Sequence, residues 1–174
     1  MSNMYYVDGY NVIYHSPRLR PLALDDIEAA RDAFVDKVAR YCSSSGECAR
    51  IVFDGRGRRP SRRPTQCGSP GVEIIYSPEK LSADSMIERM VYNAPNRREI
   101  IVVSADQGIR DLCRGMGALV MASQNFLDRV LAELNDVSQS LQTKQMLQER
   151  PRLEDHLDEK ARALLDALRK KLKE

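Results

Sequence analysis

Five short, largely apolar runs punctuate the chain: Met4–Val7, Arg50–Phe53, Val72–Tyr76, Ile100–Val103 and Ala118–Met121. Their residues are mostly large or β-branched with little polar alternation, which predicts strands buried on both faces. Between them, apolar positions recur at helical steps. Ile27, Ala30, Phe34, Val38 and Tyr41 share one face, predicting a helix capped by Asp25 or Asp26, running to about Tyr41 and closed by Ser43-Ser44-Ser45-Gly46. Ala83, Ile87, Met90, Val91 and Ala94 gather behind Ser82, an N-cap for a helix to about Tyr92. Ser104-Ala105-Asp106-Gln107 reads as a capping box, with Ile109, Leu112 and Cys113 carrying the helix and Gly115-Met116-Gly117 ending it. Ser123 caps a further helix that buries Phe126, Leu127, Val130, Leu131 and Leu134. Strands and helices in this order predict an α/β fold, a doubly wound and mainly parallel sheet with helices on both faces.

From Val137 the pattern turns to polar helix formers as far as Gln148, and Pro151 interrupts it. Leu153, Leu157, Ala161, Leu164, Leu165, Leu168 and Leu172 then stripe a last amphipathic helix. Acids in its early turns and bases at its end match a helix dipole, so a capped surface helix is expected, with a partner-binding or RNA-touching role left open. Two regions follow: a domain over residues 1–135 and a helical extension over 136–174.

Composition narrows the chemistry. The chain's 174 residues suffice for one domain and an appendage. No apolar run approaches the ~20 residues of a membrane span and no signal-peptide pattern opens the chain, so a cytoplasmic location without a membrane is expected. Cys42, Cys48, Cys67 and Cys113 form no CxxC pair. His15 and His156 are the only histidines, leaving little material for histidine catalysis or a zinc site.

The net charge of +2 indicates no partner, but its distribution does. Arg56, Arg58, Arg59, Arg62 and Arg63 fall among glycines and prolines, with no acid between residues 55 and 71. Such a stretch cannot bury a core and predicts a mobile surface loop. Guanidinium forks suit phosphate oxygens, and nothing local neutralises these, so the loop reads as a phosphate-binding arm. Gly55-Arg56-Gly57 is not a dinucleotide fingerprint, because the third glycine is missing and Arg59-Pro60 stands where a helix should open.

The first strand ends in Asp8-Gly9 and the second in Asp54-Gly55; Asp106 follows the fourth, and Asp84 opens the helix after the third. A turn explains any one of these acids, and a favourable place in a helix's first turn explains Asp106 equally well. Ligands bind at the carboxyl ends of such sheets, however, and all four belong on that rim. Adjacent carboxylates repel unless a cation lies among them. Hard oxygen donors without histidine or thiolate point to Mg²⁺ or Mn²⁺, ions that activate water and support in-line phosphoryl displacement. With an arginine loop leaving the same rim, a metal-dependent nuclease is the expected function.

Val7-Asp8-Gly9-Tyr10-Asn11, Val52-Phe53-Asp54, Ser82-Ala83-Asp84-Ser85-Met86-Ile87-Glu88 and Val103-Ser104-Ala105-Asp106 resemble the motifs of the YacP-like group of NYN domains, relatives of PIN-domain ribonucleases. The likeness covers about residues 4–135, leaving the arginine loop and the helical tail outside the shared core. It implies a PIN-like sheet of order 3-2-1-4-5 and metal-dependent endoribonuclease activity on mRNA, in association with ribosomes. Asp8, Asp54, Asp84 and Asp106 would then be the catalytic and metal-binding cluster, Asn11 its polar companion and Glu88 a fifth metal ligand. An inactive RNA- or ribosome-binding scaffold is the alternative, and the presence of all four acids weighs against it. A HAD-type phosphatase would need an acid at Tyr10, and a receiver domain a lysine at Ala122 or Ser123.

Overall fold

Strand β1 (Met4–Asp8) lies at the centre of a five-stranded sheet of order β3-β2-β1-β4-β5. Its neighbours are β2 (Cys48–Phe53) and β4 (Ile100–Val103), flanked by β3 (Val72–Tyr76) and β5 (Leu119–Met121). All four pairings are parallel, as a sheet wound by crossover helices requires. The computed structural model describes residues 3–55 and 71–148, with side chains as far as residue 140. Asp8 pairs with Val52, and Val7 with Val103, so the strands run out together on one rim.

Alternation along the strands divides the interior into two cores. Tyr5, Val7, Ile51, Phe53, Ile101 and Val103 face α3 (Ile27–Ser45) and α6 (Ser123–Gln148), meeting Phe34, Val35, Phe126 and Val130. The intervening Tyr6, Val52, Ile100 and Val102 pack on Ala83, Ile87 and Val91 of α4 (Ala83–Tyr92) and on Ile109 and Cys113 of α5 (Gln107–Gly115). With apolar side chains on both faces, the strands read as continuous apolar runs.

Several local expectations are revised. The segment after Asp8 forms two short helices, α1 (Gly9–His15) and α2 (Arg20–Asp25, with Pro21 in its first turn), where the sequence pattern indicated only a turn. Asp26 alone caps α3, accepting from the N–H groups of Glu28 and Ala29, and the helix continues past Tyr41 to Gly46, whose φ of 71° ends it. Asp106 itself, not Ser104, is the N-cap of α5, and Leu112 is 46% exposed, so Ile109 and Cys113 anchor that helix. Ser123 spends its hydroxyl on Asn11, 3.0 Å away, instead of on a helix cap.

The chain divides into two compact units, Met1–Asp136 and Val137–Glu174, the division falling within α6. The five arginines at 56–63 and the leucine stripe at 153–172 lie outside the described residues. Among the described residues, no helix is long and apolar enough to cross a membrane.

A buried polar network ties the other end of β1. The Tyr5 hydroxyl donates to Glu47 Oε2 at 3.0 Å, Tyr41 donates to the same oxygen, and Arg129 Nε of α6 donates to the Tyr41 hydroxyl at 2.8 Å. Burial alone would raise the Glu47 carboxyl, but the hydrogen bonds from Tyr41, Asn3 and Tyr5 and the Arg129 charge together hold it below its usual range.

At the rim, the Phe53 ring packs between Tyr10 and Tyr76, with centroids at 4.9 and 5.8 Å. A Cβ on Gly9 would fall 2.3 Å from that ring, so only glycine lets α1 start this close to β2. Gly9→Ala is expected to cost about 1–3 kcal/mol by displacing Phe53. Urea unfolding measures the cost, and an unchanged midpoint would contradict this packing.

Candidate active site

Each of the four aspartates is delivered by a separate connection leaving the rim. Asp8 ends β1 and caps α1, its Oδ1 accepting the Asn11 N–H at 3.2 Å. Asp54 follows β2, held where Ser77 joins two strand exits: Gly55 N–H donates to Ser77 Oγ at 3.1 Å, and Ser77 N–H to the Phe53 carbonyl at 2.9 Å. Asp84 lies in the first turn of α4, behind the Ser82 cap. Asp106 caps α5, its Oδ1 accepting from the N–H groups of Gly108 at 2.6 Å and Ile109 at 3.4 Å.

The electrostatics show that these acids share one field. Asp8 is only 8% exposed, and burial pushes its carboxyl up to about 7. The Asn11 N–H opposes that rise, while Asp84 and Asp54 add to it. Burial also raises the Asp84 carboxyl, as do the charges of Asp106 and Asp54, against a hydrogen bond from Asp8 that favours its ionised form. Both carboxyls are raised, and a proton on Asp8 facing Asp84 is the arrangement these shifts favour, with Asp54 and Asp106 as the neighbouring charges.

Asp84 Oδ1 is buried without a hydrogen-bond partner. Such an atom costs free energy unless something polar meets it. The donor chemistry of this set, all carboxylate oxygens, is that of a hard divalent cation, which could take the place of a proton between Asp8 and Asp84. Among the described residues, no three His, Cys, Asp or Glu side chains are arranged to hold a metal ion. Asp8 and Asp106 each commit one oxygen to a helix N-terminus, which leaves the second for a ligand.

Asn11 serves as a strut. Its Oδ1 accepts from the Ala105 N–H at 2.7 Å and from the Ser123 hydroxyl at 3.0 Å, tying α1 to the β4–α5 connection and to the start of α6. Its side-chain oxygen is thereby committed to holding the rim together, so its part is positioning. Glu88, one turn beyond Asp84, acts with Asp84 on a common neighbour: after burial, the charges of Glu88 and Asp84 raise the Cys113 thiol, to about 11. It is not among the charges that raise Asp8 or Asp84. The buried serines Ser77, Ser104 and Ser123 stand at the strand exits; the sequence pattern marks Ser104 and Ser123 only as helix caps and does not mark Ser77.

A 3-2-1-4-5 parallel sheet whose rim gathers four aspartates defines a PIN-like, nuclease-type α/β domain. The chain belongs to the YacP-like NYN domain family, whose profile matches residues 5–170. That match takes in the C-terminal segment, which the motifs alone left outside the shared core. The uncharacterized protein YacP of Bacillus subtilis (strain 168) is 31% identical over 125 residues, covering 71% of this chain and 72% of its own. The crystal structure of Rae1 (YacP) from Bacillus subtilis is similar at a TM-score of 0.67 and 26% identity, covering 97% of this chain and 95% of that one. Its W164L mutant matches with the same TM-score and identity over 95% and 99%.

The raised Asp8 carboxyl sets a pH dependence. The Asp8 carboxyl titrates near 3.8 when free and near 7 when folded. Between those values the native state holds a proton that the unfolded chain releases, so this group's contribution is fully present below the lower value. It is lost as pH rises through the upper one. Asp8→Asn keeps an N-cap of equal quality and removes the charge. In chelator the variant is expected to melt above wild type at about pH 8, by on the order of 1 kcal/mol, with the gap narrowing toward about pH 5. A variant that melts lower at both pH values would make Asp8 an ordinary turn residue.

Proposed function

We propose that this protein is a metal-dependent endoribonuclease that hydrolyses phosphodiester bonds in RNA, with mRNA in a ribosomal setting as its substrate. The observation that carries this reading is the gathering of Asp8, Asp54, Asp84 and Asp106 on one rim, with Asp84 Oδ1 buried and unpartnered. Although helix N–H groups bind Asp8 and Asp106, Asp54 still raises the carboxyls of Asp8 and Asp84, and Asp106 that of Asp84, an arrangement that favours a cation.

Asp8 and Asp84 would hold Mg²⁺ or Mn²⁺, with Asp54 and Asp106 supplying the remaining carboxylate oxygens. When bound, the ion provides a nucleophilic water at neutral pH and offsets charge building on the phosphate. The chain itself does the positioning. Asn11 fixes the Asp8 loop against the Asp106 loop, and Ser77 fixes the exit that carries Asp54. Arg56, Arg58, Arg59, Arg62 and Arg63, which leave the chain directly after Asp54, would bind the phosphates that flank the scissile bond. Membership of a family related to PIN-domain ribonucleases supports RNA as the substrate class.

Asp8→Asn, Asp54→Asn and Asp106→Asn are each expected to abolish cleavage of labelled RNA in Mn²⁺ and to leave the far-UV circular dichroism unchanged. RNA bound but not cleaved by the wild type, on free RNA and on translating ribosomes alike, would favour the inactive scaffold. Replacing Arg58, Arg59, Arg62 and Arg63 by Ala is expected to weaken RNA binding about equally across sequences and to flatten its salt dependence. Fluorescence anisotropy over a salt series measures both, and an unchanged slope would remove the loop from the interface.

A further inference from the structure

Arg110 lies near the start of α5, and its side chain folds back over the strand end from which that helix leaves. Its Nη1 donates to the Ser104 carbonyl and its Nη2 to Gln107 Oε1. These partners stand on either side of Asp106, whose own N–H donates to Ser104 Oγ at 3.1 Å. The guanidinium thus brackets the connection that brings one of the four acids to the rim. Ser104 is fully buried, so its carbonyl needs a protein donor, and Arg110 provides one.

The charge is more than that bond requires. A backbone carbonyl and a side-chain amide accept any N–H, and both are neutral. Arg31, Arg40, Arg50, Arg114 and Arg129 rest instead on Asp32, Asp36, Glu73, Asp111 and Glu47. Arg110 makes no ion pair with a described residue. Asp111, its neighbour in the chain, is turned to Gln107 and Arg114. Nor is Arg110 among the charges that act on Asp8 or Asp84, so it stands beside that pair and not within it. A guanidinium has five N–H groups, and these two bonds leave most of them over. What results is a half-buried cation, already fixed in place, at the edge of the acid rim.

We infer that Arg110 binds the RNA strand, holding a phosphate next to the one that is cut. The inference rests on RNA being the substrate and adds to that reading a residue outside the acid cluster. Strand β4 is the immediate neighbour of β1, so its exit lies one or two strand spacings from Asp8, on the order of 5–10 Å at ~4.8 Å each. Successive phosphates of an extended single strand are a comparable distance apart. A strand with its scissile phosphate over Asp8 and Asp84 therefore sets an adjacent phosphate at the β4 exit. The planar fork suits two phosphate oxygens, and a guanidinium held by two bonds loses little further freedom on meeting them.

Two measurements test this, on wild type, Arg110→Gln and Arg110→Lys. The first is the affinity for a labelled single-stranded oligoribonucleotide, read by fluorescence anisotropy in chelator over a salt series. Arg110→Gln is expected to bind about tenfold more weakly, as loss of a charge-assisted bond implies, with a salt slope lower by about one. Arg110→Lys keeps the charge and is expected to keep the slope. An unchanged slope in Arg110→Gln overturns the inference, and so does an equal loss of slope in both variants, which would make Arg110 only a brace for Ser104. The second measurement is cleavage in Mn²⁺ of oligonucleotides carrying one neutral methylphosphonate linkage, moved a position at a time away from the cut. In wild type a neutral linkage one or two positions away is expected to slow cleavage about tenfold, and in Arg110→Gln to have no further effect. Should Arg110→Gln melt far below wild type, the wild-type walk decides, and a walk with no sensitive position beside the cut overturns the inference. Cleavage by wild type with an unchanged slope in Arg110→Gln overturns the Arg110 contact alone. A slope that falls in Arg110→Gln and holds in Arg110→Lys, without cleavage by wild type, upholds the contact and overturns the nuclease.

Discussion

Negative charge confined to one half-buried rim is the constraint on which the rest of this structure depends. Four carboxylates brought together by four separate connections repel one another, and burial removes the water that would screen them. The fold meets this in two ways. A proton on Asp8 facing Asp84 removes one charge. Asp8 and Asp106 also turn their oxygens toward the N–H groups that open α1 and α5, where partial positive charge gathers. What remains unbalanced is the buried Oδ1 of Asp84.

Holding such a rim requires stiffness around it. Central placement of β1, paired on both sides in parallel register, fixes the Asp8 backbone from two directions. Asn11 and Ser77 brace the loops, and the Phe53 ring, seated against Gly9, closes the space beneath. At the opposite end, the Tyr5, Tyr41, Glu47 and Arg129 network joins the β1 strand to α3 and α6. Both ends of the central strand are thus anchored by polar groups, and the two apolar cores lie between them.

Much of this was legible because burial on both faces writes itself into sequence. Ile100–Val103 has no polar residue, and Ile87 and Val91 repeat at helical spacing, so strands, the main helices and sheet class follow directly. Sheet order came through the motif resemblance, whereas the places of Asp8, Asp54, Asp84 and Asp106 at strand and helix ends already put them on one rim. Other features leave no local trace. Helices α1 and α2 are only seven and six residues long, too short for a periodic face to emerge. Ser104 and Asp106 are both good N-caps, and the choice between them depends on where β4 releases the backbone. Asn11 reaches partners 94 and 112 residues away, a pairing that only the folded topology creates.

Exchange of a proton between Asp8 and Asp84 for a divalent cation is the central claim, and calorimetric titration with Mn²⁺ tests it most directly. Run at several pH values in buffers of different ionisation enthalpy, it counts the protons released as the ion binds. The account predicts release of about one proton near pH 6, falling toward none as pH passes the Asp8 value of about 7, with affinity rising over the same interval. It also predicts that Asp84→Asn removes both effects. Absence of Mn²⁺ binding, or binding without proton release near pH 6, would contradict it.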